Sequence, residues 1–390
     1  MRLLFIVLMG LISCKSPESP KPVLPQIQYQ TQEVNFPYQS DFQHYFPKAQ
    51  WDKALENATQ ELVSLVLQPQ NHLSAESMQL AADRAGFPGQ AIFQKWMNGG
   101  EFPKELLKNI PRSFEKVDVA ISSRNYGDGR VLWVMGFANH SLNISPMPRD
   151  LELDGKLPIW IDGVEHDQKA YLYISAPFEP IEKIELVPNA HRWLGDFHAP
   201  GKYRMEVVIE EDEKASVALL FSVFVDEKPP SPTMAQSTLQ VSNPMEAEVW
   251  LFEEVNRLRQ ERGLKPLKPF VLFEDIVREH SAYMASTGIV DHQIPNVTNG
   301  VAYNAGKFAH PKAKHYQNVA AAMTYQEALS LAVDSPGHFQ VLLCEQCTHM
   351  VIGATLEPKL QGHPRLFVTW EVLQFTDGVP KKIDKLNRDF

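Results

Sequence analysis

Two short stretches near the C-terminus carry side chains capable of chemistry. In Ser335-Pro336-Gly337-His338 a hydroxyl and an imidazole stand three residues apart, and Cys344 and Cys347 share that spacing, with His349 close behind. Ser335-Pro336 reads as the N-cap and first position of a short helix, so Gly337 and His338 fall in its first turn. A helix N-terminus disfavours an imidazolium, which leaves His338 neutral and able to offer a lone pair to a metal. A Ser/His nucleophile pair is disfavoured, because backbone N–H groups occupy an N-cap hydroxyl and no Gly-x-Ser-x-Gly elbow occurs in the chain. The cysteines follow the apolar run 339–343 and so a helix C-terminus, whereas a redox-active pair uses a helix N-terminus to lower its thiol pKa. A disulfide is the simplest reading in an oxidising compartment. A zinc site from Cys344, Cys347, His349 and another histidine has suitable ligand types but no common finger spacing, and free thiols are the remaining option.

Residues 256–338 carry a longer series. Asn256, Arg259, Gly263, Leu264 and Leu267 form N-x-x-R-x-x-x-G-L-x-x-L; His280-Ser281, Met284-Ala285 and His292 follow, then Gln317-Asn318-Val319-Ala320 and Ser335-Pro336-Gly337-His338. This order resembles the CAP superfamily (the SCP/TAPS-like, cysteine-rich secretory and pathogenesis-related type), its bacterial branch in particular. The resemblance implies an α-β-α sandwich whose cleft gathers two histidines and two carboxylates, where zinc can bind. The histidines map onto His292 and His338. One acid position maps onto Gln317 and the other onto Ser335, with Ala332 where the family has a Trp and only Asp334 nearby. Both acids are thus missing from their expected places.

That loss has chemical consequences. A Gln cannot ionise, so it neither acts as a general base nor stabilises a dication by charge. Two neutral imidazoles can still hold zinc, but catalytic zinc usually has three protein ligands plus water. His310 and His315 could substitute, although no spacing rule requires it, and Asp291 points away from its neighbour His292 in an extended segment. The alternative is a structural or small-ligand cleft in which His292 and His338 bond backbone across it, with Gln317 joining them. His280 sits on an apolar helix face and reads as a core histidine.

The chain has 390 residues, enough for two or three domains, and a net charge of −10, which argues against nucleic acid as a partner. Arg2 and the apolar run 3–12 form a signal segment too short to span a bilayer. Leu11-Ile12-Ser13-Cys14 looks like a bacterial lipobox with Cys14 as the lipidated residue; an ordinary secretory signal is the alternative. Lys15 after the cysteine favours the outer membrane if the source is Gram-negative. Sequons such as Asn139-His140-Ser141 and Asn296-Val297-Thr298 carry little weight in a bacterial lipoprotein, and no phosphate-binding Gly loop occurs.

The supporting elements follow from periodicity. Residues 15–45, with Pro17, Pro20, Pro22 and Pro25, read as a tether. In the α/β region 46–148, Trp51, Leu55, Ala58, Leu62 and Leu65 make one helical face. Ser74 and Gly86 bound a second helix, and residues 89–96 make a third. Val117, Val119 and Ile121 then alternate before a turn at Gly127-Asp128-Gly129, with 131–137 beyond it. A similar strand–turn–strand unit near 350–375 raises the expectation of a degenerate CAP-like copy. Residues 149–228 read as an Ig-like β-sandwich, 229–242 as a Pro-rich linker, and 243–378 as the CAP domain. The whole is α+β and multidomain. The expected function is a non-catalytic module at the cell envelope, binding an extracellular ligand or partner through the cleft residues His292, Gln317, Asn318, Ser335 and His338. A metal-dependent hydrolase of peptide or cell-wall substrates is the alternative, and a purely structural spacer the third possibility.

Overall fold

The computed structural model describes residues 38–67, 73–110, 116–140, 142–144, 148–165, 167–177, 179–186, 192–211, 214–233, 243–292, 313–357 and 364–375. The signal segment, Cys14, most of the tether and His310 lie outside the described residues.

The N-terminal region begins earlier than the tether expectation implied. Helix α1 (Gln39–Tyr45) buries Phe42 completely, and with Phe46 it packs on the strand residues Val117, Val119 and Phe137. Then come β1 (Ala49–Trp51), α2 (Lys53–Leu65), α3 (Ala75–Ala85), β2 (Ile92–Asn98), β3 (Val117–Asn125) and β4 (Val131–Asn139). Helix α2 buries Leu55, Ala58 and Leu62 as its stripe requires. Trp51 belongs to β1 instead, because Asp52 caps the helix by accepting from Leu55 N. Ser74 and Gly86 bound α3, the glycine at φ 82°. The helix expected at 89–96 is the strand β2, with Trp96 opposite Trp133 of β4. A segment so short cannot sustain a helix alone, whereas Ile and aromatic side chains suit a half-covered sheet surface. The strands run β1-β3-β4-β2, with β1 parallel to β3 and the other pairs antiparallel.

The central region is two sheets around one core. β5 (Asn143–Ile144), β7 (Lys156–Asp162) and β10 (Arg192–Asp196) make a three-stranded sheet. Strands β6 (Asp150–Leu151), β8 (Lys169–Ser175), β9 (Glu182–Leu186), β11 (Gly201–Glu211) and β12 (Lys214–Val225) make a five-stranded one. Ile144, Ile159 and Ile161 of the first meet Leu172, Met205, Val207 and Phe221 of the second in one apolar cluster.

The C-terminal region comprises α4 (Pro244–Glu261), β13 (Lys268–Pro269), α5 (Glu274–Thr287), β14 (Ala313–Ala322), α6 (Tyr325–Asp334), α7 (Pro336–Leu342), β15 (His349–Leu356) and β16 (Leu366–Phe375). Its sheet runs β13-β15-β16-β14. On one face Val277 and Met284 of α5 pack with Val351, Phe367 and Leu373. On the other, Leu251, Val255, Ala328 and Leu342 cover Ile352, Val368 and Trp370. Helices on both faces of a sheet that is antiparallel except for the β13–β15 pair form the expected α-β-α sandwich. Gly353 lets α5 approach closely, since a Cβ there would lie 2.4 Å from the carbonyl carbon of Val277.

Candidate functional site

The cleft forms where β14 runs along the open edge of the C-terminal sheet. Alternation places Gln317 on the α5 face with Val319, and Asn318 on the opposite face. Chain reversal at Gly288, whose φ is 71°, ends α5 and brings His292 back to the strand, with its Nδ1 3.0 Å from Gln317 Oε1. His338 arrives from α7, and its ring centroid lies 6.2 Å from that of His292. The Ser335 hydroxyl accepts from His338 N at 3.2 Å, and Asn318 Nδ2 donates to His338 O at 2.9 Å. His338 is therefore clamped through its backbone at both ends. The structure thus brings His292, Gln317 and His338 together, with Asn318 and Ser335 supporting them.

His338 is pushed down to about 4, first by burial and then by the neighbouring His292. The neutrality expected from a helix terminus holds for a different reason: desolvation of the charged form. His280, as expected, is buried and bonds Thr369 Oγ1 at 3.0 Å. Among the described residues no group of three or more His, Cys, Asp and Glu side chains is arranged to hold a metal. A cation between His292 and His338 would have two imidazole nitrogens as its strong ligands, short of a catalytic zinc set.

Other candidates have separate tasks. His315 does not supplement the histidine pair; its Nδ1 lies 3.3 Å from Glu371 Oε1, and its ring stacks on Phe273. Asp334 is taken by Lys202 Nζ at 2.8 Å, and its carbonyl accepts from Arg204 Nε at 2.7 Å. Cys344 and Cys347 form a disulfide just after α7. His349 bonds Thr348 and packs on Phe270 and Phe375. The motif at the start of the family-like segment is architectural. The Asn256 side chain bonds Leu267 N and O, and Arg259 reaches the carbonyls of Lys265, Leu342 and Cys344.

Two carboxylates escaped the sequence reading, and each lies beside a position where an acid was missing. Glu206 of β11 is 1% exposed and accepts from Ser335 Oγ at 2.9 and 3.1 Å and from Gly337 N at 2.5 Å. A side chain at Gly337 would crowd that contact, its Cβ lying 3.0 Å from Glu206 Oε2. Glu371 of β16 is also 1% exposed and pairs in register with Gln317. Burial raises both carboxyls above their ordinary range; the Gly337 N–H opposes this at Glu206, and His315 and Gln317 oppose it at Glu371. The alternation Lys202-Arg204-Glu206 resembles a solvated strand face, so sequence alone hides Glu206. Glu371 is the single charge in an otherwise uncharged β16, a signal that was present but unread.

Residues 252–370 match the family model described as CAP, the cysteine-rich secretory protein family. No curated protein matches the chain in sequence. A solved extracellular protein containing an SCP domain from Bacillus anthracis is 16% identical, covering 46% of this chain and 66% of its own, at a TM-score of 0.30. A cysteine-rich secretory protein of Staphylococcus aureus is 16% identical over 46% of this chain and 57% of its own, at 0.27. An outer surface protein of Borrelia burgdorferi is 14% identical over 33% of this chain and 94% of its own, at 0.28. None of these likenesses assigns a ligand or an activity. Residues 252–370 are thus a CAP domain, similar to that of the cysteine-rich secretory protein family.

Proposed function

We propose that this protein is a bacterial cell-envelope lipoprotein, anchored through Cys14 at the outer membrane or cell surface, whose CAP cleft binds an extracellular ligand or partner without catalysis. One observation carries the reading. The cleft presents two imidazoles and an amide, while Glu206 and Glu371, the carboxylates beside the two positions that lack an acid, are each 1% exposed. A general base must reach the proton it abstracts, and these two are walled off. Among the described residues no helix is long and apolar enough to cross a membrane, which is consistent with a lipid anchor.

The neighbouring regions support a recognition role. The Tyr203 hydroxyl donates to Ala199 O and accepts from Ala199 N, both at 3.1 Å, in the manner of the tyrosine corner of Ig-like sandwiches. The N-terminal region, by its strand order, reads as a degenerate copy of the C-terminal one. The metal-dependent hydrolase remains the second reading, favoured by the facing pair His292 and His338.

Zinc calorimetry on the chain without its signal segment, against a His292→Ala/His338→Ala variant, tests the proposal. Tight one-to-one binding lost in the variant would favour the hydrolase reading. No uptake, or uptake indifferent to the variant, is the expected outcome.

A further inference from the structure

We propose that Glu371 is a positioning residue of the cleft, acting through Gln317 to fix His292 as the Nδ1–H tautomer, so that the nitrogen offered to a ligand is the lone pair of Nε2. Gln317 and Glu371 face each other directly across β14 and β16, so their side chains share one face of the sheet. Gln317 Oε1 lies 3.0 Å from His292 Nδ1, which leaves the amide nitrogen of Gln317 as the end available to the carboxyl directly across the strand pair. Glu371 is 1% exposed, and among the described residues its Oε2 has no hydrogen-bond partner, so it is the buried acceptor in register with Gln317.

The polarity of this chain follows from the groups themselves. A carboxylate only accepts, whereas a primary amide has a donating end and an accepting end. The amide nitrogen of Gln317 must therefore turn to Glu371 and its oxygen to His292. An amide oxygen cannot donate, so His292 Nδ1 carries the hydrogen. In the neutral ring the lone pair is then on Nε2. Such an outer partner fixing the tautomer of a histidine is a recurring device for presenting one nitrogen to a ligand. Here the carboxylate stands one residue back from the cleft, and an uncharged amide separates it from solvent.

The inference rests on the binding reading and narrows its chemistry. The site offers electron pairs from imidazole rather than charge, so it suits an electron-pair acceptor: a transition-metal ion held by imidazole, or a ligand N–H or O–H donor. It does not suit a ligand that must itself accept a hydrogen bond from His292 Nε2.

The test needs no ligand. Long-range 1H–15N correlation spectra of the full mature chain report the tautomer of His292, assigned by its loss in His292→Ala. The wild type is expected to show Nδ1–H. Glu371→Gln frees the Gln317 amide to flip, and His292 should shift toward Nε2–H, the form preferred by unconstrained imidazole. Gln317→Glu accepts at the same place and should retain Nδ1–H. If Glu371→Gln does not fold, Gln317→Leu at the sheet edge breaks the same link and should give the same shift. An Nε2–H tautomer in the wild type, or an unchanged Nδ1–H in a folded Glu371→Gln or Gln317→Leu, overturns the proposal. A failed zinc titration leaves this result untouched, so the two readings fail separately.

Discussion

The N-terminal and C-terminal regions share one sheet plan but not one site. Each has a short strand parallel to the first arm of a central hairpin, β1 on β3 and β13 on β15, and an edge strand antiparallel to the second arm, β2 on β4 and β14 on β16. In each, the helix after the short strand anchors to the hairpin through a hydroxyl. Thr59 bonds Ser122 at 2.7 Å in one region, and Ser281 bonds Thr369 at 2.9 Å in the other. The edge strands differ. β14 presents Gln317 to His292, while β2 presents residues such as Trp96, which is 38% exposed. A common topology therefore supplies an edge, and only the side chains placed there decide whether it becomes a cleft.

The sharpest contrast lies in how closely each helix approaches its sheet. Gly353→Ala would drive a Cβ to 2.4 Å from α5 backbone, whereas at Gly136 the nearest atoms are side chains of Leu55 and Phe93 at 2.9 Å. Backbone cannot step aside as a side chain can. Gly353→Ala should cost about 3 kcal/mol and Gly136→Ala about 1 kcal/mol in chemical denaturation. Equal losses would erase the distinction.

Acid should act on the two regions in opposite directions. His338 has its folded value lowered to about 4, so the unfolded chain takes up a proton that the folded chain refuses as the pH falls. Stability is thus lost between the ordinary value near 6.5 and about 4, by up to roughly 3 kcal/mol. His140 is raised, chiefly by its bond to Asp118, so its contribution is fully present below 6.5 and fades as the pH climbs through the raised value. Protection factors of amides in β16, corrected for the intrinsic pH dependence of exchange, should fall on acidification and those in β4 should not. His338→Gln should remove the effect in β16, and parallel behaviour of both strands would contradict it.

Smaller effects probe the contacts between regions. Glu206→Ala strands Ser335 and Gly337 N without their acceptor and should cost about 2 kcal/mol, read as a lower Tm. Glu206→Gln keeps one acceptor and should cost less. Asp83 of α3 should behave similarly, because it receives Ser222 N and Arg204 from the central region. The matched caps Ser74 and Thr324, which accept from Ser77 N and Glu327 N, should each cost about 1 kcal/mol on change to Ala. A much larger loss at Thr324 would mean that the Glu327 carboxylate, which also binds Ala75 N of α3, moves with its cap.

Much of this was legible beforehand. Periodicity marked α2, and the hydroxyls of Ser74 and Ser335 announced helix starts because an N-cap is a local event within four residues. The motif series located the CAP domain, since Asn256 and Arg259 perform fixed architectural bonds at fixed spacing. The helix expected at 89–96 failed because that segment has no strong local preference, and pairing with β4 decided its state.

By itself the sequence determined the family-like segment, the loss of acids at Gln317 and Ser335, and the places where helices begin. Each depends on residues close together along the chain. Tertiary structure alone decided that Glu206 meets Ser335 across 129 positions, and that Glu371 stands in register with Gln317. It also set the neutrality of His338 by burying it. Burial and cross-strand register are properties of the packed sheet, and they arise only when strands distant in sequence are brought side by side.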